Sequence, residues 1–573
     1  MFAPMQNLDQ DILNKAKQIL EYHFEANIEI SSVYFLSEAE RRNLIARLFI
    51  ESKTKGIPKS IILKQSLREQ SDEDDREAFS RFARDWAGLE FANQIHQSIH
   101  NVPRFYGGNK QCRFILIEDL GAHHVSLVDS LTLPYQEKAI QAFTRFMKSL
   151  GSFHAASYGK TEMYGALLKK IHEPWEELND DFETLRPKLI EKLHLIGHLL
   201  NIPLTEECIQ EVNELFDSLI KPGEFTVLTH GDICPDNVFD HEKSQDLQLI
   251  DFEWANIRNA LLDGTYLRMC MPTCWCAKAI PEDIIVHLET IYRKELKKSI
   301  PAAADDLAYS KAYTEACGFW ILQQTLPFLE STLEKDRVGP SGPVPENSLW
   351  NTGENWVRPR VLSRLQAFIH IGYSNNLLPH LRLMAENILL QIKKIWGDVN
   401  HLEFYPAFFT SNKTFYIRSF EFGDETEIYQ LFYDTVHFIN CNDYTKEQLD
   451  AWAPAKPNLA EWRESLSRNY SFVAIDKKSG KIIGFSDLDK KGYLNRGYVH
   501  KDFQRKGVGI ALLEVREQIA ISLGIHQLFS DVSITAKSFY EHCGYIIEEK
   551  QIKELNGLSL INYRMKKNLT YSK

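Results

Sequence analysis

The stretch LTHGDICPDNVFD, residues 228–240, sets His230, Asp232, Asp236, Asn237 and Asp240 in one short turn-like segment. Shortly after it, LQLIDFEWA places Asp251 behind the apolar strand-like residues Leu247, Leu249 and Ile250. Phosphoryl transfer needs a carboxylate that orients and deprotonates the attacking hydroxyl, and oxygen ligands for the Mg²⁺ that bridges the phosphates. The Asp232-x-x-x-x-Asn237 spacing puts one group of each kind on a single loop, and Asp251 adds a second metal carboxylate at a strand end. Alone, the acids of the loop are ordinary turn formers. Lys64 in SIILK ahead of them and Asp251 behind them make an ordered set. Asp236 and Asp240 read as turn or surface residues.

At 573 residues the chain is too long for one ordinary core, and two to four domains are expected. Its net charge of -12 argues against bulk nucleic-acid binding, which needs a basic footprint. Nine cysteines without framework spacing point to a reducing compartment. The first residues carry no apolar signal segment, and no run of about 18 apolar residues exists to span a membrane. A cytoplasmic location is expected, with neither nucleic-acid nor membrane partners.

Apolar spacing predicts a helix over 9–25, strands at SSVYFLS, NLIARLFIES and SIILKQ, and a helix opened by the acidic run at 71–77 and capped by Ser71 or Asp72. RFILIEDLG reads as a strand and turn. From 135 onward the pattern is mostly helical, broken by the loop at 229–255. The Pro/Gly-rich stretch 337–348 reads as a surface loop. The texture changes at 397–413 to alternating strands and helices, with a hairpin turn at DKKSGK.

The ordered pieces IILK, DWAGLEFA, LIEDLG, HGDICPDN and LIDFEW resemble the aminoglycoside phosphotransferase/choline kinase-like family, over roughly residues 10–405. The resemblance implies a protein-kinase-like bilobal fold, with an N-lobe over about 1–118 and a helical C-lobe over about 119–405. It implies ATP (or GTP) and Mg²⁺ as cofactors. Asp232 then corresponds to the catalytic base, with His230 supporting its loop. Asn237 and Asp251 correspond to the Mg²⁺ ligands, and Lys64 to the phosphate ligand. Glu118 falls in the hinge whose backbone meets adenine. Asp85 stands where the family's helix acid, usually Glu, holds the lysine, and Glu90 follows one turn on. The loop LSEAERRN, which would cover the nucleotide, has no glycine.

CMPTCWC brings Cys270, Cys274 and Cys276 close together, but zinc needs four ligands and no partner Cys or His pair is nearby in sequence. The three read as buried cysteines beside a substrate pocket. His154 reads as a packed core histidine.

In the last 160 residues, RGYVHKDFQRKGVGIALLEVREQIA ends a strand at Val499 and enters a helix through Gln504, Arg505, Lys506, Gly507, Val508 and Gly509. Glycines let backbone approach a pyrophosphate, and the helix N-terminus favours its charge. With VSITAKSFYEHCGYIIEE downstream, the segment resembles the GNAT N-acetyltransferases over about 414–567, a mixed, mostly antiparallel sheet flanked by helices. The resemblance implies acetyl-CoA bound by the Gln504–Gly509 loop, with Ser533 in the second CoA segment. The Val499 backbone would polarise the acyl carbonyl, and Tyr540 would protonate the departing thiolate. Asp487 is the candidate base. Trp452 lines the acceptor pocket or packs the core.

The expectation is an α+β, α/β multidomain chain: a kinase-like domain over 1–405, a linker at 406–413 and an acetyltransferase domain over 414–573. The expected activity is bifunctional: phosphorylation of a small-molecule hydroxyl and N-acetylation of an amine, the acceptor being aminoglycoside-like or a metabolite. The alternative is a kinase-like nucleotide sensor or scaffold that regulates the acetyltransferase.

Overall fold

In the computed structural model, residues 8–37, 42–95, 101–172, 182–339, 356–397, 399, 401–408 and 414–569 are described. Parts of the glycine-free loop, of the 337–348 stretch and of the 406–413 linker lie outside them.

The chain opens with a helix, Gln10–Phe24, capped by the Asp9 side chain, which accepts from the Asp11 amide at 2.9 Å. Its buried stripe of Ile12, Ala16 and Leu20 covers one face of an antiparallel sheet. The sheet holds β1 (Glu29–Phe35), β2 (Asn43–Glu51), β3 (Ser60–Ser66), β4 (Phe105–Asn109) and β5 (Phe114–Glu118), in the order β1-β2-β3-β5-β4. Side chains alternate along a strand. Ile61 and Leu63 of β3 join the core under the first helix, so Lys64 faces the other way. That face meets the helix Asp72–Ile95. Ser71 caps it, its Oγ accepting from the Asp74 amide at 3.0 Å.

The following region is mainly helical, with long helices at Gln136–Ser157, Phe182–Leu199, Glu206–Ile220, Glu282–Leu296, Asp306–Gln324, Val357–Asn375 and Pro379–Trp396. The sequence expectation of one loop across 229–255 needs refinement, because short strands frame it. β6 (Val125–Ser126), β8 (Val238–His241) and β9 (Asp246–Leu249) form one sheet, and β7 (Thr226–Thr229) pairs with β10 (Asn256–Asn259). Runs of two to four residues are too short to register as a period-2 pattern.

The last part has two antiparallel sheets. One runs β11 (Phe415–Ser419), β12 (Tyr470–Asp476), β13 (Ile482–Leu488), β14 (Leu494–Val499); the other has the order β15 (Gln527–Ser533), β17 (Leu558–Asn568), β16 (Ile546–Leu555). An isolated parallel bridge, Tyr493 to Phe529, joins them where β14 and β15 meet. Alternation along β12 splits the packing. Phe472 and Ala474 join Val508 and Leu512 of the helix Val508–Ser522. Val473 and Ile475 join Ile428 and Phe432 of the helix Glu425–Ile439 on the opposite face.

The helix Glu282–Leu296 packs against Val508–Ser522, and its Val286 is buried within the second part's core. Lys393 donates to the Phe422 carbonyl at 2.7 Å, and His401 Nδ1 lies 3.0 Å from Glu421. A cavity of about 960 Å³ lies along this seam. No helix among the described residues is long and apolar enough to cross a membrane.

Candidate active sites

Lys64 meets three carboxylates: Asp251 at 2.5 Å, Asp85 at 2.8 Å and Glu253 at 3.0 Å. Burial works against the ammonium, but these acids outweigh it and hold its pKa well above the usual value. Burial likewise pushes the Asp85 carboxyl up, even against the pull of Lys64. The helix that carries Asp85 lies close against the segment after β9: a Cβ at Gly88 would stand 2.8 Å from Phe252. Asp85 also accepts from the Phe252 amide at 2.8 Å, tying the helix to the segment after β9. Glu90, the alternative acid, instead accepts from the Trp86 indole at 2.8 Å. Glu253 belongs to this cluster and was not singled out from the sequence; its place two residues after Asp251 was the available signal. It also accepts from Asn43 at 2.5 Å.

The loop between β7 and β8 is held from below. Asp263, 3% exposed, accepts from the His230 amide at 2.6 Å and the Gly231 amide at 3.2 Å. Burial disfavours the Asp263 anion, yet His154 beside it holds its pKa below the usual carboxylate value. His154, fully buried, also bonds the Tyr292 hydroxyl at 2.8 Å. The sequence carried no signal for Asp263. His230 contacts the Ile250 carbonyl through Nε2 at 2.8 Å, just before Asp251. Gly231 has φ +82, and a Cβ there would stand 2.2 Å from the Trp254 carbonyl oxygen, so only glycine fits. Asn237 donates Nδ2 to the Asp232 carbonyl at 2.9 Å, and its own carbonyl accepts from the Ile250 amide at 3.0 Å. The loop and the Asp251 segment are thus laced together by His230 and Asn237. Asp251 itself has φ +69, outside ordinary strand geometry.

Oδ1 of Asp232 accepts from Thr273 Oγ1 at 2.7 Å and faces Cys234 Sγ at 3.3 Å. Asp240 is not a surface residue: it is 2% exposed and forms a bidentate pair with Arg145 at 2.7 and 2.6 Å. Asp236 is drawn inward as well, accepting from the Trp275 indole at 2.7 Å, and burial pushes its carboxyl up. Sequence distance hid both partners.

Glu118 ends β5. Its amide donates to the Arg104 carbonyl at 2.9 Å and its carboxylate accepts from the Arg104 amide at 3.1 Å. Its own N–H is therefore already engaged in the sheet.

In the last part, β14 stops at Val499, whose carbonyl accepts from Gln504 Nε2 at 2.6 Å and Thr435 Oγ1 at 3.3 Å. Gln504 thus pins the loop to the strand end. Arg505 and Gly507 both take positive φ, and Gly507 stands at the N-cap of the helix that begins at Val508. Arg505 and Lys506 are exposed beside it. Gly509 lies against Phe539, whose ring a Cβ would meet at 3.4 Å. Ser533 ends β15 and its Oγ accepts from the Ala536 amide at 3.2 Å, setting up the helix Lys537–His542. That helix carries Tyr540, 7% exposed, with its hydroxyl directed at β14; a Cβ on Gly497 would stand 3.5 Å from it. Trp452 stacks edgewise on Tyr444.

Asp487 does not suit a base. It is fully buried and accepts from Arg496 at 3.0 and 2.8 Å, Asn469 at 2.7 Å and Asn495 at 3.2 Å. Burial disfavours its anion, but Arg496 and the two amides hold its pKa below the usual carboxylate value. Three of these donors meet Oδ2 and one meets Oδ1, so the carboxylate is engaged as the buried partner of Arg496.

Two separate clusters of candidate site residues therefore sit in successive parts of the chain. The ecdysteroid kinase-like family matches residues 77–300, and the acetyltransferase (GNAT) domain matches residues 440–567. These matches support a kinase-like N-terminal domain and a GNAT domain at the C-terminus. The first match carries the kinase-like reading under a different family name from aminoglycoside phosphotransferase. The chain is 28% identical over 150 residues to the uncharacterized N-acetyltransferase YafP of Escherichia coli, covering 26% of this chain and 93% of that protein. It is 29% identical over 105 residues to glucosamine 6-phosphate N-acetyltransferase of Schizosaccharomyces pombe, covering 17% and 95%. Among solved structures, a GCN5-related N-acetyltransferase of Rhodopseudomonas palustris is 28% identical, covering 27% of this chain and 97% of that one, with a TM-score of 0.26.

Proposed function

We propose that the chain is a bifunctional transferase, with domain boundaries near 405 and 414. The first domain phosphorylates a small-molecule hydroxyl from a nucleoside triphosphate. The carrying observation is the lacing of Lys64, Asp85 and Asp251 to the Asp232–Asn237 loop. Asp232 accepts the hydroxyl proton, with Thr273 fixing its orientation. Lys64 offers its charge to the phosphates and Asp85 holds it in place. The Asp251 carboxylate and the Asn237 amide oxygen, whose Nδ2 is committed to Asp232, form an all-oxygen donor set that fits Mg²⁺. When bound, Mg²⁺ would neutralise phosphate charge. The name of the matched family favours a polyhydroxylated, steroid-like alcohol over an aminoglycoside as acceptor.

The second domain transfers an acetyl group from acetyl-CoA to an amine. The Gly507 turn and the helix start at Val508 present amides to the pyrophosphate, assisted by Arg505 and Lys506. Tyr540 protonates the leaving thiolate.

The test is direct. Mg-ATP and acetyl-CoA should each raise the melting temperature, and phosphate should pass from ATP to hydroxylated acceptors in wild type but not in Asp232→Ala. The glycine-free loop LSEAERRN and Asp85 in place of the family's Glu favour a second reading, a nucleotide sensor or scaffold. Nucleotide binding with no transfer to any acceptor would select it.

A further inference from the structure

Residues 359, 362, 363, 366, 367 and 370 recur at helical spacing on one face of the helix Val357–Asn375, and all of them line the seam cavity of about 960 Å³. The rest of the wall comes from both parts of the chain. The first gives Glu282 and Asp283, at the start of the helix Glu282–Leu296; the second gives Phe415 of β11, Phe472 of β12 and Glu514 of the helix Val508–Ser522. Small-molecule sites are concave, mostly apolar and often set at such junctions, with volumes of about 300–1,000 Å³. Lys64, Asp232, Asp251, Gln504 and Tyr540 are not among the lining residues, so the cavity lies apart from both candidate active sites.

The charges on this wall are unevenly matched. Arg268 meets Glu282 at 2.5 Å and Glu289 at 2.8 Å. Arg418 pairs with Asp424 at 2.7 Å, Lys278 with Glu403 at 2.9 Å, and His401 faces Glu421 at 3.0 Å. Burial lowers the His370 pKa to about 4 and so keeps it neutral, and Lys477 is exposed. Among the described residues, no cation pairs with Asp283. Its carboxylate accepts from its own amide and that of Ile284, and the charge beside it is Glu282, another acid. Burial, with Glu282 adding to it, pushes the Asp283 carboxyl up to about 6, so at neutral pH it is ionised with its charge unanswered. Gln366 Oε1 is a second open acceptor, buried and without a hydrogen-bond partner. Buried acceptors are ordinarily paired, so this cavity is short of donors rather than of acceptors.

We propose that the seam cavity binds an organic ammonium ion carried on an apolar body. The ammonium pairs with Asp283 and brings the counter-charge that the chain itself does not supply. Phe404, Phe408, Phe415 and Phe472 offer apolar wall to the body, and Gln366 Oε1 accepts from a further N–H or O–H upon it. An anion is disfavoured, because it would meet Asp283 while Arg268 and Arg418 are already engaged by acids. Asp283 and Gln366 belong to the first part of the chain, Phe415, Phe472 and Glu514 to the second, so the occupant ties the two together.

The probes are tryptamine, phenethylamine and adamantylamine, each titrated calorimetrically into the full chain beside the alcohol of the same skeleton. At least one amine should bind about tenfold or more tighter than its alcohol, the scale of a hydrogen bond to a charged group. Asp283→Asn keeps the shape, removes the charge and should abolish that preference. Gln518→Trp fills the cavity from an exposed position on the helix Val508–Ser522 and should weaken the amine by about the same factor. It also serves should Asp283→Asn not fold. Equal binding of amine and alcohol in all three pairs overturns the proposal. So does an amine preference that persists undiminished in either folded variant, which would place the amine at the acetyl-acceptor site instead.

Discussion

Thr273 reaches back to Asp232, its hydroxyl donating to Oδ1 at 2.7 Å, while the Tyr266 hydroxyl lies 2.5 Å from the same threonine oxygen. The proposed base is therefore oriented by a residue outside its own loop. Asp232→Asn should lower phosphoryl transfer by about 10²- to 10⁴-fold while nucleotide-induced thermal stabilisation persists. Thr273→Val should lower kcat less and leave KM for the nucleotide unchanged. Full activity in Asp232→Asn would remove it as base.

Lys64→Met leaves Asp85 buried with its counter-charge gone. Breaking a buried pair in this way costs about 3–5 kcal/mol. Denaturant unfolding of the variant should show that loss, and Lys64→Met combined with Asp85→Leu should recover part of it. Equal stability in the two variants would show that the pair is not coupled.

Tyr540→Phe should reduce kcat for acetylation about a hundredfold with KM for acetyl-CoA unchanged, since only the proton donor is lost. Raising the thiol acidity of the leaving group with an alternative acyl donor should narrow that gap. An unaltered kcat would assign Tyr540 to packing.

Asp487→Asn should destabilise the second domain, because Arg496 loses its buried counter-charge. The pH dependence of acetylation in the folded variant should match that of wild type. A shifted alkaline or acidic limb would return Asp487 to the proton path.

Burial lowers the His370 pKa from 6.5 to about 4, with Glu282 opposing the shift. The unfolded chain binds this proton more readily, so stability falls as pH drops from about 6.5 toward 4. Above pH 6.5 the effect is absent. A melting-temperature series over that window should be steeper for wild type than for His370→Gln.

Local chemistry was legible wherever it was local. The Ser71 cap, the alternation that turns Lys64 away from Ile61 and Leu63, and the DKKSGK turn follow from neighbours in the chain. Asp85 was found because its helix follows β3 directly. What escaped depended on closure over distance. Asp263 supports the loop from 33 positions beyond His230. Asp240 finds Arg145 95 positions earlier, and Trp275 draws in Asp236 39 positions before it. Asp487 reads as a free acid because nothing in GFSDLD announces Arg496, its direct cross-strand partner on β14.

Val286 sits on a helix of the first part and is buried in the core of the second. Excising residues 414–573 would strip that helix away and bare the apolar side of Val508–Ser522, the helix whose start is offered to the coenzyme. A truncated acetyltransferase prepared for assay would thus carry a sticky flank of its own making, and its solubility and coenzyme affinity would report on the scissors as much as on the enzyme.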